Sequence, residues 1–129
     1  MYNYLIKEII KVIDGDTIDI ILDVGFNIST KQRIRINRID TPETNSKNIQ
    51  EKQLALEAKE FVAMWLVNQN KLTIKTLKDD KYGRMLGEIF NERGECLNDI
   101  LLEKGYAWEY DGGEKSNNIN TLLEKRKNV

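Results

Sequence analysis

The 129-residue chain, 40% hydrophobic and 32% charged with a net charge of −1, has the length and balance of one globular domain with a single core. It contains no histidine and one cysteine, Cys96. That excludes an intramolecular disulfide, Ser-His-Asp and Cys-His nucleophiles, histidine-based phosphodiester cleavage and the usual zinc centres, each of which needs an imidazole or several thiolates.

The start, MYNYLIKEIIKVIDGD, is interrupted by Lys7, Glu8 and Lys11, so it lacks the apolar run of a secretion signal. No segment has the apolar length of a membrane span. The cytoplasm is the default location, with no membrane among the expected partners. YLIKEIIKVI and TIDIILDV are rich in Ile and Val, and Asp14-Gly15-Asp16 between them is turn chemistry, which predicts strand, turn, strand. After a loop from Gly25 to Thr30, Ile34 and Ile36 alternate with Arg33, Arg35 and Asn37, predicting a third strand with one buried face. KQRIRINR carries four cations, Lys31, Arg33, Arg35 and Arg38, and no acid.

Leu54, Ala58, Phe61, Val62 and Trp65 recur at helical spacing, and Asn48 with Glu51 three residues on can cap the helix they predict. KLTIKTL and RMLGEIF predict two more strands, joined by the polar KDDKYGR. CLNDILLEK before Gly105 predicts a short helix stopped by glycine. YDGGEKSNN is a polar loop, and NNINTLLEKRKN a candidate terminal helix. The succession of three strands, one helix and two strands is that of a five-stranded Greek-key OB barrel, followed by one or two C-terminal helices. The fold class is thus mainly β with helices, one domain over 1–129, with its core over about 4–110 and a variable segment over 111–129.

Asp16 closes the first turn, and Asp40 and Glu43 follow the third strand; if these strands pair, three carboxylates can meet. Carboxylates at close range raise one another's pKa unless a cation compensates, and hard oxygen donors suit Ca²⁺, Mg²⁺ or Mn²⁺. Taken singly, DGDT is accounted for as a hairpin turn and DTPE as the start of a loop. Each acidic cluster, however, has an arginine nearby, Arg35 and Arg84, and the guanidinium fork grips phosphate oxygens bidentately. Lys31 and Arg33, on the same alternate set as Arg35, are expected on an exposed, solvated strand edge. Trp65 is expected in the core and Cys96 as a small buried residue.

VIDGDTIDI, RIRINRIDTPET and DDKYGRMLGEIF, in that order from Ile10 to Tyr110, together resemble the staphylococcal nuclease family of OB-fold enzymes. The resemblance implies hydrolysis of DNA and RNA phosphodiesters with low sequence preference, one Ca²⁺ ion, and products with 3′-phosphate ends. It implies that Asp16, Asp40 and the Thr41 carbonyl hold the ion, that Glu43 activates the attacking water, and that Arg35 and Arg84 bind the phosphate. Lys81 and Tyr82 resemble the pair that holds a terminal nucleotide phosphate, and Tyr110 the tyrosine that stacks on a nucleotide. The slightly acidic balance and the 111–129 tail depart from the family's usual basic character, which predicts weaker, more salt-sensitive nucleic-acid binding. A site with two acids predicts calcium affinity too weak for submicromolar saturation. A monomer is expected. The competing expectation is a noncatalytic OB module that binds single-stranded nucleic acid or a protein partner.

Overall fold

A computed structural model describes residues 2–79, 83–111 and 118–127. Five long strands, β1 (Tyr2–Asp14), β2 (Thr17–Asp23), β3 (Ser29–Ile36), β5 (Leu72–Asp79) and β6 (Met85–Asn91), close into a barrel in the order β1-β2-β3-β6-β5. This is the five-stranded OB-like barrel expected from the order of elements. A separate two-stranded ladder joins β4 (Ile39–Asp40) to β7 (Trp108–Glu109). The helices are α1 (Ile49–Val67), α2 (Leu97–Glu103) and α3 (Ile119–Lys127); no helix among the described residues is long and apolar enough to cross a membrane.

Period-two alternation fills the barrel. Ile18, Ile20 and Leu22 of β2, Ile34 and Ile36 of β3, Ile74 of β5 and Ile89 of β6 are fully buried, and each such side chain contributes roughly 1.5–3 kcal/mol on leaving water. β1 pairs with β2 along nearly its whole length and with β5 through Tyr2 to Leu5. Three irregularities in its register, between Ile6 and Glu8, Ile9 and Lys11, and Val12 and Asp14, supply the coiling that lets one strand serve both neighbours. The closing contact is parallel, Ile34 to Ile36 against Met85 to Gly87.

α1 begins where its cap predicts: the Glu51 N–H donates to Asn48 Oδ1 at 3.0 Å. Leu54, Ala55, Ala58, Val62 and Leu66 are its buried face, with Phe61 and Trp65 partly buried against the core. α2 ends at Lys104, and Gly105 supplies the left-handed backbone (φ 77°) that turns the chain. The C-terminal segment is more than an appendage. Leu122 of α3 is 1% exposed, and Arg126 pairs with Glu57 of α1, donates to the Gly105 carbonyl at 3.0 Å and lies 4.4 Å over the Tyr106 ring.

Candidate active site

Three pieces of backbone converge at one end of the barrel. The β1–β2 hairpin turns through Gly15 and Asp16; the Asp16 carbonyl accepts from Ile36 N–H at 2.8 Å, which ties the end of β3 to that turn. The chain then leaves β4 through Thr41 and Pro42, and the Thr41 N–H donates to Asp16 Oδ2 at 3.2 Å. Gly15 is required by the closeness of these pieces: a Cβ there would lie 2.9 Å from Thr41 Cγ2 and 3.0 Å from Ala58 Cβ.

A concavity of about 340 Å³ opens at this junction, and Asp16, Arg35, Asp40, Thr41, Glu43 and Arg84 all line it. Six of the nine residues singled out in the sequence are therefore brought together. Tyr110 stands next to them, its ring 5.9 Å from the Arg35 guanidinium carbon, with its N–H donating to the Arg38 carbonyl at 2.9 Å. Lys81 and Tyr82 lie outside the described residues.

Arg35 is the hub. It is only 7% exposed; Nη1 donates to the Ile36 carbonyl at 2.9 Å, and Nη2 lies 3.3 Å from Asp40 Oδ1 and 3.6 Å from Asp16 Oδ2. Asp16 and Asp40 thus point at a common place where a positive charge sits. Asp16 Oδ1 also accepts from the Thr17 hydroxyl at 3.0 Å. Asp14 lines the same concavity and accepts from the Thr44 hydroxyl at 2.9 Å, which pins the loop carrying Glu43. Glu43 itself is exposed and its carbonyl accepts from the Ser46 N–H. The three-carboxylate cluster expected from sequence is not formed: among the described residues no group of three His, Cys, Asp or Glu side chains is close enough to hold an ion. The Pro42-directed turn of the chain sends Glu43 to the rim while Asp40 stays inside.

The donor set fits a hard divalent cation. Asp16 and Asp40 supply two carboxylates beside Arg35, and the Thr41 hydroxyl oxygen is buried without a hydrogen-bond partner, so the polarity of this corner is not yet satisfied. Oxygen donors of this number suit Ca²⁺ or Mg²⁺ completed by main-chain carbonyl and water.

Lys31 and Arg33 are exposed as expected, but not on a strand edge. β3 is no edge, because the barrel closes and pairs it with β2 and β6. Arg33 is instead held by two hydrogen bonds to Asp19, at 2.8 and 3.1 Å. The Arg33 hydrogen bonds hold the Asp19 carboxyl below the ordinary range, and Asp19 raises the guanidinium in turn. Cys96 is partly buried at the N-terminus of α2, and burial pushes its thiol up, away from nucleophilic character.

Two supports of the site carry little sequence signal. Asn98 on α2 is fully buried: Nδ2 donates to the carbonyls of Asn37 (2.7 Å) and Gly87 (3.2 Å), and Oδ1 accepts from the Ile89 N–H at 3.2 Å. A lone amide in the apolar repeat of CLNDILL is the sign that could have revealed it. Arg38, at φ 70°, bonds Glu88 at 2.7 Å and Asp99 at 2.9 Å; the Asp99 bond first, with Glu88, raises its pKa well above the usual arginine value. These residues fix the turn that joins Arg35 to Asp40.

Residues 33–128 match the family model described as staphylococcal nuclease homologue. The match runs through the C-terminal segment that the sequence had set apart. Among curated relatives, a thermonuclease of Staphylococcus hyicus is 34% identical over 101 residues, covering 78% of this chain and 56% of that protein. An uncharacterized endonuclease of Escherichia coli O157:H7 is 30% identical over 111 residues, covering 81% and 60%. Endonuclease YhcR of Bacillus subtilis is 32% identical over 107 residues, covering 78% of this chain but 8% of its own length. The chain spans three-fifths or less of the length of each of these relatives.

Proposed function

The chain belongs to the staphylococcal nuclease family, and we propose that it hydrolyses phosphodiester bonds of DNA and RNA with little sequence preference, using one Ca²⁺ ion and leaving 3′-phosphate ends. The observation that carries this is the convergence of Asp16 and Asp40 on the Arg35 guanidinium, at 3.6 and 3.3 Å, in a concavity that Glu43 and Arg84 also line.

Asp16, Asp40 and the Thr41 carbonyl are the groups that would hold the ion, which supplies neutralisation of a nonbridging phosphate oxygen. Glu43, at the rim and exposed to solvent, takes a proton from the attacking water and holds that water in line with phosphorus. Arg35 is preorganised by the Ile36 carbonyl and Asp40, so its fork meets the charge that grows on the phosphate without reorganising. Arg84 approaches the same phosphate from the β6 side. Each guanidinium is worth about a hundredfold in rate if its hydrogen bonds tighten as phosphorus becomes five-coordinate. With no histidine in the chain, the leaving oxygen takes its proton from water or another group. Lys81, Tyr82 and Tyr110 complete the proposal as the residues that bind the nucleotide flanking the scissile bond. The protein works as a monomer, and calcium must be supplied well above submicromolar levels, because two carboxylates make a weak site.

The test compares the protein with Glu43→Gln on single- and double-stranded DNA, with Ca²⁺ or EDTA. Cleavage that requires Ca²⁺ and falls about a hundredfold or more in the variant is expected. Equal cutting by both proteins would remove Glu43 from the mechanism. Binding without cutting by either would favour a noncatalytic module, and saturation at submicromolar calcium would overturn the weak-site claim.

A further inference from the structure

The basic row on β3 continues past the catalytic concavity. Alternation puts Ser29, Lys31, Arg33 and Arg35 on one side of the strand, while Ile34 and Ile36 enter the barrel. Arg35 ends in the concavity; Lys31 and Arg33 are exposed. From Ser29 to Arg35 the row covers about 20 Å. At its far end the chain passes through three successive left-handed residues, Gly25 (φ 88°), Phe26 (φ 56°) and Asn27 (φ 62°). A bulky side chain adopts that backbone only under strain, and Phe26 gains no burial in return, being 97% exposed. Beside it a cleft of about 320 Å³ is lined by Lys7, Asp23, Phe26 and Ser29 among others.

Asp19 and Asp23 on this surface are held locally. Asp19 grips Arg33, and Asp23 Oδ1 accepts from the Gly25 N–H at 2.9 Å. Lys7 Nζ reaches Ser29 Oγ at 3.3 Å, which keeps a second cation near the aromatic tip. A strained, solvent-facing ring at the end of a line of cations is the arrangement that holds an unpaired base and its phosphates.

Building on the nuclease reading, we propose that the outer side of β3 and the Phe26 loop form an accessory track for single-stranded polynucleotide. Phosphates run over Lys31 and the outer edge of the Asp19-paired Arg33, and a base stacks on Phe26. A duplex is not the ligand, because its bases are paired and stacked away from such a ring. A membrane is disfavoured, since the cations run in a line from the ring to the catalytic concavity instead of surrounding it.

The experiment measures binding in EDTA, so it does not depend on cleavage and stays separate from the Glu43→Gln comparison. Labelled oligothymidylates of about twelve and about three nucleotides are titrated with the protein by fluorescence anisotropy. Phe26→Ala and Phe26→Asn are each expected to weaken the longer strand about fivefold or more, bringing it towards the affinity of the shorter one. Asparagine tolerates the left-handed backbone, so that variant keeps the turn. Lys31→Gln should lower the slope of log affinity against log salt by about 0.7 for the longer strand. Unchanged affinity for the longer strand in both Phe26 variants would overturn the proposal. So would an equal loss for both lengths, or binding of the wild type to phosphatidylserine vesicles that Phe26→Ala abolishes while oligonucleotide affinity holds.

Discussion

Trp108 stands opposite Asp40 in the two-residue β4–β7 ladder, and its indole N–H is held by α3, 2.9 Å from Thr121 Oγ1 and 3.1 Å from the Asn118 carbonyl. The C-terminal helix therefore grips the strand that faces one of the two inward carboxylates. Two residues on, Tyr110 lies beneath Arg35. Losing the indole donor should loosen both.

Trp108→Phe keeps the ring and removes the N–H; Thr121→Val removes one acceptor from the other side. Each is expected to lower stability by about 1 kcal/mol, and each should also weaken calcium binding at the proposed site, measured by calorimetry. The double variant should add little to either single one, since both break the same bond. A fall in melting temperature with calcium affinity intact would make the helix a structural prop only.

Gly15→Ala tests how tightly the hairpin turn is set. The new methyl would meet Thr41 Cγ2 and the backbone-anchored Ala58 Cβ at 2.9 and 3.0 Å, so the turn must move away from α1. A loss of about 1–3 kcal/mol is expected, read by urea unfolding. Because Asp16 is the next residue, cleavage should fall as well. Wild-type stability in this variant would show that the two segments separate without strain.

The long elements were legible because each carries its own period. Ile34 and Ile36 alternate, Leu54 to Leu66 repeat at helical spacing, and Asn48 caps where its side chain predicts. The carboxylates and arginines were legible as motifs, since DGDT, RIR and DTPE lie at the ends of elements that meet. β4 and β7 were not, because two residues have no period. Nor was the fate of Arg33, whose partner Asp19 lies on the neighbouring strand and whose strand ceases to be an edge only when the barrel closes. The docking of α3 rests on Leu122, Arg126 and Trp108, which reach across the chain to Gly105, Glu57 and Thr121. Long-range pairings of this kind leave no local trace.

Asn98→Ala should be among the most damaging substitutions outside the site itself. It leaves the Asn37 and Gly87 carbonyls and the Ile89 N–H without this partner in a buried place. At about 1 kcal/mol for each lost bond the expected loss is about 3 kcal/mol. Since Asn37 lies in the turn between Arg35 and Asp40, activity should fall at temperatures where the variant is still folded. Chemical denaturation gives the first number and nuclease assays below the melting point the second.

The Glu57–Arg126 pair makes the hold on α3 dependent on acid. The Arg126 hydrogen bond, with a smaller contribution from Gln53, keeps the Glu57 carboxyl below its ordinary value despite partial burial. A carboxyl depressed in the folded state contributes stability that is complete above its unfolded pKa, about 4, and is lost as pH falls through the lower folded value. The carboxylate is 40% exposed, so solvent screening limits the contribution to about 0.5–1 kcal/mol. Trp108 touches the first turn of the same helix, and its fluorescence, in a Trp65→Phe background, should report α3 loosening below about pH 4. Glu57→Gln should show the loosened signal already at neutral pH and lose that acid transition. An unchanged transition in Glu57→Gln would mean that another carboxylate controls the helix.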